Sequence, residues 1–344
     1  MKGLVKYQRG RGFLAIREVA EPPLAPDEVR IAIAGCGICG SDLHIFDDEI
    51  AIPIRVPVVL GHEFSGTVVE VGTAVTKTAV GDQVTAEPRV QVCGRCPSCR
   101  EGSTNLCLER RIMGYWIDGA FARTGIVPER CIHKLPENVD LLSAALTEPL
   151  ACGVHAVTEL TGVSAGDVVV ITGPGTIGIL TMQVAKAEGG SVVVVGRSGD
   201  EQRLSLARTL GADATINVDT EDPIRVIHSL TNGDGADVIF ECSGAEAGAS
   251  LGLKIARKQG KYTQVGLFGR PIQIDFEQVA FKELTVTGSL GQKPTSWERS
   301  LRLMASGKVR TAPLVTHQLP LIAWEEAFRI FREREGIKVI LRPD

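Results

Sequence analysis

The sequence has no long apolar segment. Its first residues, 1–7, lack the apolar run of a secretory signal peptide. No stretch approaches the roughly 18 apolar residues of a transmembrane helix. We therefore expect a cytoplasmic protein that makes no membrane contact, and we expect its nine cysteines to be reduced thiols or metal ligands.

The sequence also lacks a strong excess of charge, an internal repeat and any low-complexity tract. A net charge of −4 predicts no surface for nucleic acid. The composition, with 44% hydrophobic and 23% charged residues, is that of an ordinary globular protein. A chain of 344 residues is long enough for two domains with separate cores.

A cysteine-rich loop is the most informative feature present. Four cysteines follow the spacing C-x2-C-x2-C-x7-C: Cys93, Cys96, Cys99 and Cys107. Zn²⁺ prefers four soft ligands in a tetrahedron, and four thiolates form a closed, structural site. Such a site carries a charge of about −2, which Arg95, Arg100 and the backbone N–H groups of the loop are placed to offset. The alternatives are two disulfides or four unrelated thiols.

The pattern of apolar residues changes near residue 150. Before it, strand-like segments such as 29–34 and 67–71 are separated by Gly and Pro. After it, strands and helices alternate. We predict an α/β protein with a β-rich domain over residues 1–150 and 291–344, and a doubly wound parallel sheet of about six strands over residues 151–290.

Individual elements can be predicted in the second half of the chain. The predicted strands are 168–172, 192–195, 238–241, 262–265 and 284–287. The predicted helices lie at 177–187, at 203–210, after Asp222-Pro223, at 297–304 and at 324–334.

The first of these strands is followed by a glycine-rich turn. Gly173, Gly175 and Gly178 form G-x-G-x-x-G between a strand and a helix, which is the context that a dinucleotide-binding turn requires. The glycines allow a tight turn and a close approach to a pyrophosphate at the helix N-terminus. With Thr176 and Ile177 they are the expected pyrophosphate site; an unliganded glycine-rich turn is the alternative.

The end of the second predicted strand bears on the choice of coenzyme. An acid is expected about 20 residues past the motif, where it binds the adenosine ribose, but the sequence at 196–198 is Gly-Arg-Ser. Arg197, Ser198 and Arg203 can instead bind a 2′-phosphate. We therefore expect NADP to be preferred over NAD. The alternative is that Asp200 or Glu201 turns back to the ribose.

A second group of possible metal ligands lies in the first domain. Cys39, His62, Glu63 and Glu148 occur in the segments G-I-C-G-S-D-L-H, G-H-E and T-E-P-L. One Cys, one His and one Glu can hold zinc with an open fourth position, as catalytic sites do. Each segment alone is weak, since an isolated His is more often structural and Glu-Pro more often begins a helix.

Taken together, these motifs resemble those of the zinc-containing medium-chain alcohol dehydrogenases, in the polyol branch that includes sorbitol and threonine dehydrogenases. The resemblance covers nearly the whole chain and includes E-P-L-A at 148–151. It implies a GroES-like catalytic domain, a Rossmann coenzyme domain and two zinc ions per chain, one catalytic and one structural. It also implies a homotetramer or homodimer.

The resemblance implies roles for individual residues. Cys39 and His62 would bind the catalytic zinc, and either Glu63 or Glu148 would complete the ligand set. Zinc would lower the pKa of the substrate hydroxyl. Ser41 would pass the proton toward solvent, with His44 at the outer end of this relay. Asp42 would support a ligand from behind.

Other residues are assigned to the coenzyme or the substrate. The remaining expected coenzyme residues follow the last two predicted strands: Val265, Gly266, Leu267, Ser289 and Leu290. Tyr115 and Trp116 would either stack on a sugar or belong to the core. Lys293 could meet a substrate anion, and a solvated lysine is the alternative.

The substrate predicted from the sequence is a small polyol, a sugar derivative or a secondary alcohol. Sorbitol dehydrogenases carry an arginine after the last strand, and Gly288–Lys293 contains none. A threonine dehydrogenase is the alternative, although no amino-acid clamp is recognisable. A non-catalytic zinc and NADP(H)-binding protein and a zinc-free quinone reductase are disfavoured, because all the ligands are present.

Overall fold

The computed structural model describes residues 1–49 and 52–343, and the chain forms two compact units. The first unit comprises Met1–Glu148, Lys293–Ala305 and Thr311–Asp344. The second comprises Pro149–Gln292 and Ser306–Arg310. Within the described residues, no helix combines the length and the apolar character that crossing a membrane requires.

Sixteen strands are present in the described chain. They are β1 Lys2–Lys6, β2 Leu14–Glu18, β3 Glu28–Gly37, β4 Val58–Val59, β5 Glu63–Val71, β6 Gln83–Ala86, β7 Thr124–Pro128, β8 Ile132–Lys134, β9 Val168–Thr172, β10 Ser191–Gly196, β11 Ala214–Asn217, β12 Ala236–Glu241, β13 Ala256–Gln264, β14 Thr285–Gly288, β15 Val315–Pro320 and β16 Lys338–Arg342.

Eleven α-helices accompany these strands in the same described residues. They are α1 Gly40–Asp47, α2 Pro97–Arg100, α3 Leu141–Ala144, α4 Thr147–Val154, α5 Thr176–Ala187, α6 Glu201–Thr209, α7 Pro223–Leu230, α8 Glu246–Ile255, α9 Glu277–Phe281, α10 Pro294–Ala305 and α11 Trp324–Arg332. Helix α4 continues as a π-helix over His155–Thr161.

The first unit is built on a largely antiparallel sheet. Its strand order is β15-β16-β3-β5-β6-β8, with β7 also paired to β3. A smaller sheet has the order β2-β1-β4. Strand β3 has neighbours on both sides, and its large apolar residues Val29, Ile31 and Ile33 are buried. Glu63, the first residue of β5, and Lys338, the first residue of β16, therefore lie on the two strands that flank β3.

The second unit is built on a six-stranded parallel sheet with the order β11-β10-β9-β12-β13-β14. In order of appearance this is 3-2-1-4-5-6, the order of doubly wound dinucleotide-binding sheets. Strands β9 and β10 are runs of Val and Ile that are almost wholly buried, as expected for parallel strands covered on both faces. The predicted α/β class and doubly wound sheet are therefore confirmed.

Two elements of the second unit that the sequence did not predict have features that explain why they were missed. Strand β11 and helix α8 were not predicted. Strand β11 is only four residues long, Ala-Thr-Ile-Asn, and carries a single large apolar side chain. Helix α8 is interrupted by two glycines, which weaken its helical pattern. Asp222, by contrast, caps α7 as predicted, since its Oδ1 accepts from Ile224 N at 3.0 Å.

Candidate metal and coenzyme sites

The four cysteines of the loop converge. The sulfurs of Cys93, Cys96, Cys99 and Cys107 all lie within 4.8 Å of one another. The distance from Cys93 Sγ to Cys99 Sγ is 3.9 Å. In a tetrahedral site with Zn–S bonds of about 2.3 Å, neighbouring sulfurs are about 3.8 Å apart. The four sulfurs therefore fit a zinc ion.

Backbone N–H groups stabilise negative charge on these sulfurs. Cys93 Sγ accepts from Cys96 N at 3.3 Å, and Cys96 Sγ accepts from Cys99 N at 3.4 Å, at the start of α2. The N–H groups of Arg95 and Cys96 lower the pKa of Cys93 to about 6. Desolvation, followed by contacts with Cys96 and Cys107, raises the pKa of Cys99 to about 12. One thiolate thus forms readily, while another requires a cation beside it.

The two arginines near this cluster do not act alike. Arg95 was expected to offset the charge of the thiolates, but its guanidinium Nη2 lies 3.0 Å from Glu109 Oε1. Its pKa is raised first by Glu109 and only then by Cys93. Arg100 is the exposed last residue of α2. The backbone N–H groups are therefore the contacts through which the chain directly stabilises the sulfurs.

A second cluster of ligand atoms comprises Cys39, His62 and Glu63, all within 4.8 Å of one another. Cys39 lies at the N-terminus of α1, and Glu63 is the first residue of β5. Gly61 has φ +91°, and a Cβ there would lie 2.8 Å from the backbone N of Phe121. Glycine is required at this position, since it turns the chain so that both His62 and Glu63 reach the site.

Asp42 contacts two members of this cluster, Cys39 and His62. It is fully buried; its Oδ2 accepts from Cys39 N at 2.9 Å, and its Oδ1 lies 3.9 Å from His62 Nδ1. Burial alone would lower the pKa of His62. The hydrogen bond with Cys39 and the charges of Cys39, Asp42 and Glu148 outweigh burial and raise it well above its usual value. The imidazole thus lies in a strongly anionic environment, which suits a cation.

Glu148 lies near the cluster but is not a member of it. The residue is at the start of α4, is largely buried, and its charge acts on His62, Tyr115 and Lys338. Of the two candidate glutamates, only Glu63 has a carboxylate oxygen within the 4.8 Å group.

Lys338 is part of the site and was not predicted from the sequence. Its Nζ lies 2.5 Å from Glu63 Oε2 and donates to Ile38 O at 2.9 Å. Both charged side chains are 2% exposed. Burial would lower the pKa of Lys338, but the charges of Glu63 and Cys39 raise it. The ammonium group therefore balances the Glu63 carboxylate and holds one of its oxygens. The signal in the sequence is a lysine directly before three buried apolar residues at the start of β16.

The two residues expected to form a proton relay lie on one helix. Ser41 and His44 are three residues apart on α1, so their side chains share a face. Ser41 Oγ is buried near the Tyr115 phenol, without a well-aligned hydrogen bond to any residue that the structure describes. His44 is exposed. The pair therefore spans from the buried cluster to solvent.

Tyr115 and Trp116 lie beside the metal cluster. The Tyr115 ring is 5.6 Å from that of His62 and 6.3 Å from that of Trp116. Tyr115 is buried in the apolar core, with Trp116 packed against that core. Burial, followed by the charge of Cys39, raises the pKa of Tyr115 well above its usual value. Tyr115 therefore belongs to the core and also borders the site.

The glycine-rich turn connects β9 to α5. A Cβ on Gly178 would lie 1.9 Å from Gly173 O, and a Cβ on Gly173 would lie 2.7 Å from Ser243. Side chains are therefore excluded at both positions. Thr176 and Ile177 are the first two residues of α5, and the N–H groups in the first turn of a helix point toward an anion bound there.

A fully buried acid that was not predicted, Glu241, connects the loops around this turn. It accepts from Ser243 N at 2.8 Å, Gly244 N at 3.0 Å and Gln264 Nε2 at 2.6 Å. Its backbone oxygen accepts from Val265 N and Gly266 N at 2.9 and 2.8 Å. Glu241 thus fixes the loop that packs on Gly173 and the loop expected to contact the coenzyme.

The other expected coenzyme residues are more exposed. Leu267 and Leu290 are 69% and 37% exposed, and Ser289 N donates to Gln264 O at 2.9 Å. Arg197 and Ser198 lie exposed at the tip of β10, and Arg203 is half-buried on α6. Lys293 belongs to the first unit and is half-buried.

Comparison with known proteins agrees with this arrangement. Residues 25–137 match the alcohol dehydrogenase GroES-like domain, and residues 176–306 match the zinc-binding dehydrogenase domain. The sorbitol dehydrogenase of Halalkalibacterium halodurans is 45% identical, covering 100% of this chain and 99% of that protein. The D-arabitol-phosphate dehydrogenase of Enterococcus avium is 40% identical, with 99% and 97% covered. The L-threonine 3-dehydrogenase of Bacillus velezensis is also 40% identical, with 100% and 99% covered.

A solved structure shows the same fold. A zinc-binding dehydrogenase of Sinorhizobium meliloti, bound to NADP, has a TM-score of 0.90 and 32% identity and covers 99% of both chains. The predicted GroES-like domain, the Rossmann sheet and the family resemblance are thereby confirmed. The chain belongs to the zinc-dependent medium-chain alcohol and polyol dehydrogenases and is an oxidoreductase.

Proposed function

We propose that this protein oxidises a secondary hydroxyl group of a polyol or sugar derivative, with NADP as the preferred coenzyme and zinc at Cys39 and His62. The convergence of Cys39, His62 and Glu63 within 4.8 Å is the observation that carries the proposal. Two soft or borderline ligands and one carboxylate are a donor set typical of catalytic zinc.

The chemistry divides between the bound groups and the chain. When bound, zinc would supply the Lewis acidity that lowers the pKa of the substrate hydroxyl, and the coenzyme would supply a hydride acceptor for the carbinol carbon. Ser41 Oγ accepts the hydroxyl proton while passing its own proton toward His44. Asp42 fixes the Cys39 backbone. Glu63 or Glu148 completes the ligand set, and Lys338 restrains Glu63.

Polyols are favoured as substrates over amino acids. Two of the relatives described above are named for a polyol or a polyol phosphate, and the third for L-threonine. An amino-acid substrate needs a partner for its ammonium and carboxylate groups. Among the residues that border the cluster, Ser41 and Tyr115 offer hydroxyl groups, which suit a polyol. L-Threonine is the alternative substrate.

We further propose two zinc ions per chain, one of them at the four cysteines. Residues 1–150 and 291–344 would form the catalytic domain and residues 151–290 the coenzyme domain; of these, residues 50, 51 and 344 lie outside the described chain. The division into two compact units supports this assignment. The protein would act in the cytoplasm, where reduced thiols persist.

Self-association would use the edge of the parallel sheet. Among the residues that the structure describes, strand β14 pairs with β13 alone, and its residue Val286 is 40% exposed. Nearby in the chain, Phe276 and Phe281 are 59% and 69% exposed. An exposed edge strand, with its unpaired N–H and C=O groups, is a template for pairing with another chain. A homodimer or homotetramer assembled through β14 follows.

The test is a substrate panel measured with both coenzymes. The zinc-loaded protein is assayed by absorbance at the reduced-nicotinamide band, with polyols, polyol phosphates, simple secondary alcohols and L-threonine. We expect turnover with a polyol or its phosphate, and a higher kcat/KM with NADP⁺ than with NAD⁺. Activity confined to L-threonine would establish the alternative.

Arg197→Ala tests the basis of the coenzyme preference. The substitution should weaken NADP⁺ binding about tenfold or more, because a charge-assisted contact to the 2′-phosphate is lost, and should leave NAD⁺ binding nearly unchanged. Equal weakening of both coenzymes would show that Arg197 has another role.

A further inference from the structure

Acidic side chains occupy the backbone donors at the tip of β10. The N–H groups of residues 197–199 are consecutive, and each donates to a carboxylate of this chain. Asp200 Oδ2 lies 3.3 Å from the first, Asp219 Oδ2 lies 2.8 Å from the second, and both Glu201 oxygens lie 3.0 Å from the third. Consecutive N–H groups are a common binding site for anions. Here the chain supplies its own anions.

Asp219 differs from Asp200 and Glu201 because it lies in the turn after a different strand. It follows β11, the neighbour of β10 in the sheet. Its N–H donates to Asn217 Oδ1 at 3.1 Å, and Asn217 Nδ2 donates to Ser198 Oγ at 3.4 Å. Asp219 is exposed, whereas Asp200 is 4% exposed and belongs to the scaffold. These contacts hold the Asp219 carboxylate at the tip, where a ligand can reach it.

The tip therefore carries opposing charges. In sheets of this kind, the end of the second strand receives the adenosine ribose, and with it any 2′-phosphate. The Arg197 guanidinium makes no ion pair within residues 1–49 and 52–343, so it is available to a phosphate. The Asp219 carboxylate repels a phosphate and takes up the Ser198 N–H that a phosphate would otherwise use.

We propose that Asp219 is a second determinant of coenzyme choice, opposing the 2′-phosphate that Arg197 attracts. The inference rests on the proposed coenzyme site and refines it. The acid that the sequence lacks at the end of β10 is supplied from the turn after β11. Selectivity for NADP is then a balance between Arg197 and Asp219, and it is weaker than Arg197 alone would give.

The experiment is a comparison of dissociation constants by calorimetry on the zinc-loaded protein, using NADP⁺, NAD⁺ and the fragments 2′,5′-ADP and 5′-ADP. Asp219→Asn keeps an oxygen that can accept from Ser198 N and removes only the charge. Removing one like charge about 4 Å away in water corresponds to about fivefold in affinity. We expect NADP⁺ and 2′,5′-ADP to bind about fivefold more tightly, with NAD⁺ and 5′-ADP unchanged.

Asp234→Asn is the matched control. Asp234 is an exposed acid of the same unit that precedes β12, so it lies at the amino end of the parallel strands, opposite the tip. The Asp234→Asn substitution should leave the affinity ratios of NADP⁺ to NAD⁺ and of 2′,5′-ADP to 5′-ADP unchanged. An unchanged NADP⁺ to NAD⁺ ratio in Asp219→Asn would overturn the inference. Weaker NAD⁺ binding with unchanged NADP⁺ binding would also overturn it, because Asp219 would then hold the ribose hydroxyls. Failure of the unaltered protein to bind either coenzyme would instead refute the proposed function.

Discussion

At the scale of single residues, the proposed role of Ser41 in proton transfer is the one that a single substitution tests most directly. Its hydroxyl is buried, lies two residues after Cys39, and has no well-aligned partner in the described chain. The nearby Tyr115 phenol is a poorly aligned partner, and a substrate hydroxyl bound there would supply a better-aligned one. His44, one turn later on the same face, is open to solvent.

Ser41→Ala should lower kcat by roughly 10²–10⁴, the usual contribution of a positioned proton-transfer group. Zinc content and coenzyme binding should be unchanged, as measured by elemental analysis and calorimetry. Ser41→Thr is the control, and it should keep much of the rate because the hydroxyl survives. A folded, zinc-loaded Ser41→Ala protein with near-normal kcat would leave water as the proton acceptor.

Lys338 permits a second prediction at this scale. Lys338→Met leaves the buried Glu63 carboxylate without its cation, and breaking such a pair costs about 3–5 kcal/mol of unfolding free energy. Lys338→Arg should retain most of the stability. Urea unfolding of the metal-free protein measures the difference. The double variant Lys338→Met, Glu63→Gln should recover part of the loss; no recovery would mean that Lys338 stabilises through something other than Glu63.

At the scale of elements, the loops after β9, β12 and β13 act together through Glu241. Glu241→Gln removes the charge from the five hydrogen bonds that the carboxylate accepts and introduces an N–H₂ group facing donors. We expect coenzyme affinity to fall about tenfold or more, from the loss of a charge-assisted bond worth about 1.5–3 kcal/mol. Zinc content should be unaffected.

The measurement for Glu241 is calorimetric titration with NADP⁺, beside a thermal unfolding curve. Thr172→Val is a milder control, since Thr172 Oγ1 donates to the same carboxylate at 3.2 Å. If Glu241→Gln lowered the unfolding temperature and left the dissociation constant unchanged, Glu241 would stabilise the sheet and would not position the coenzyme loops.

The same elements show what can be predicted from the sequence. The glycine-rich turn and the cysteine loop are contiguous motifs whose geometry follows from local spacing, so their residues could be named in advance. Glu241 and Asp219 act through hydrogen bonds to neighbouring strands, and their spacing carries no periodic signal. Lys338 lies 275 residues from Glu63, and only the order β16-β3-β5 brings the two together.

At the scale of the whole molecule, the two metal clusters should differ in how they respond to metal loss. The four-cysteine loop has few apolar residues, and we expect it to depend on a bound metal for its shape. Cys39 and Glu63, by contrast, are held by helix α1 and strand β5. We expect two zinc ions per chain, one removable by a chelator with the fold retained.

Elemental analysis measures the number of zinc ions per chain, and circular dichroism during chelator titration measures whether the fold is retained. Cys99→Ser should mainly lower the unfolding temperature, whereas Cys39→Ser should abolish turnover with the fold intact. A metal content of one or zero zinc ions per chain in freshly purified protein would rule out the two-site arrangement.

The position of Lys338 has a consequence for how the protein is made. During synthesis the cysteine loop emerges early, and Cys39, His62 and Glu63 emerge before it, but the cation that balances Glu63 lies in the last strand. A nascent chain can therefore collect metal at residues 93–107 long before the electrostatics of the other cluster are complete. A chain cut ahead of β16 would carry both sets of ligands, yet would have an unbalanced Glu63 carboxylate beside Cys39 and His62.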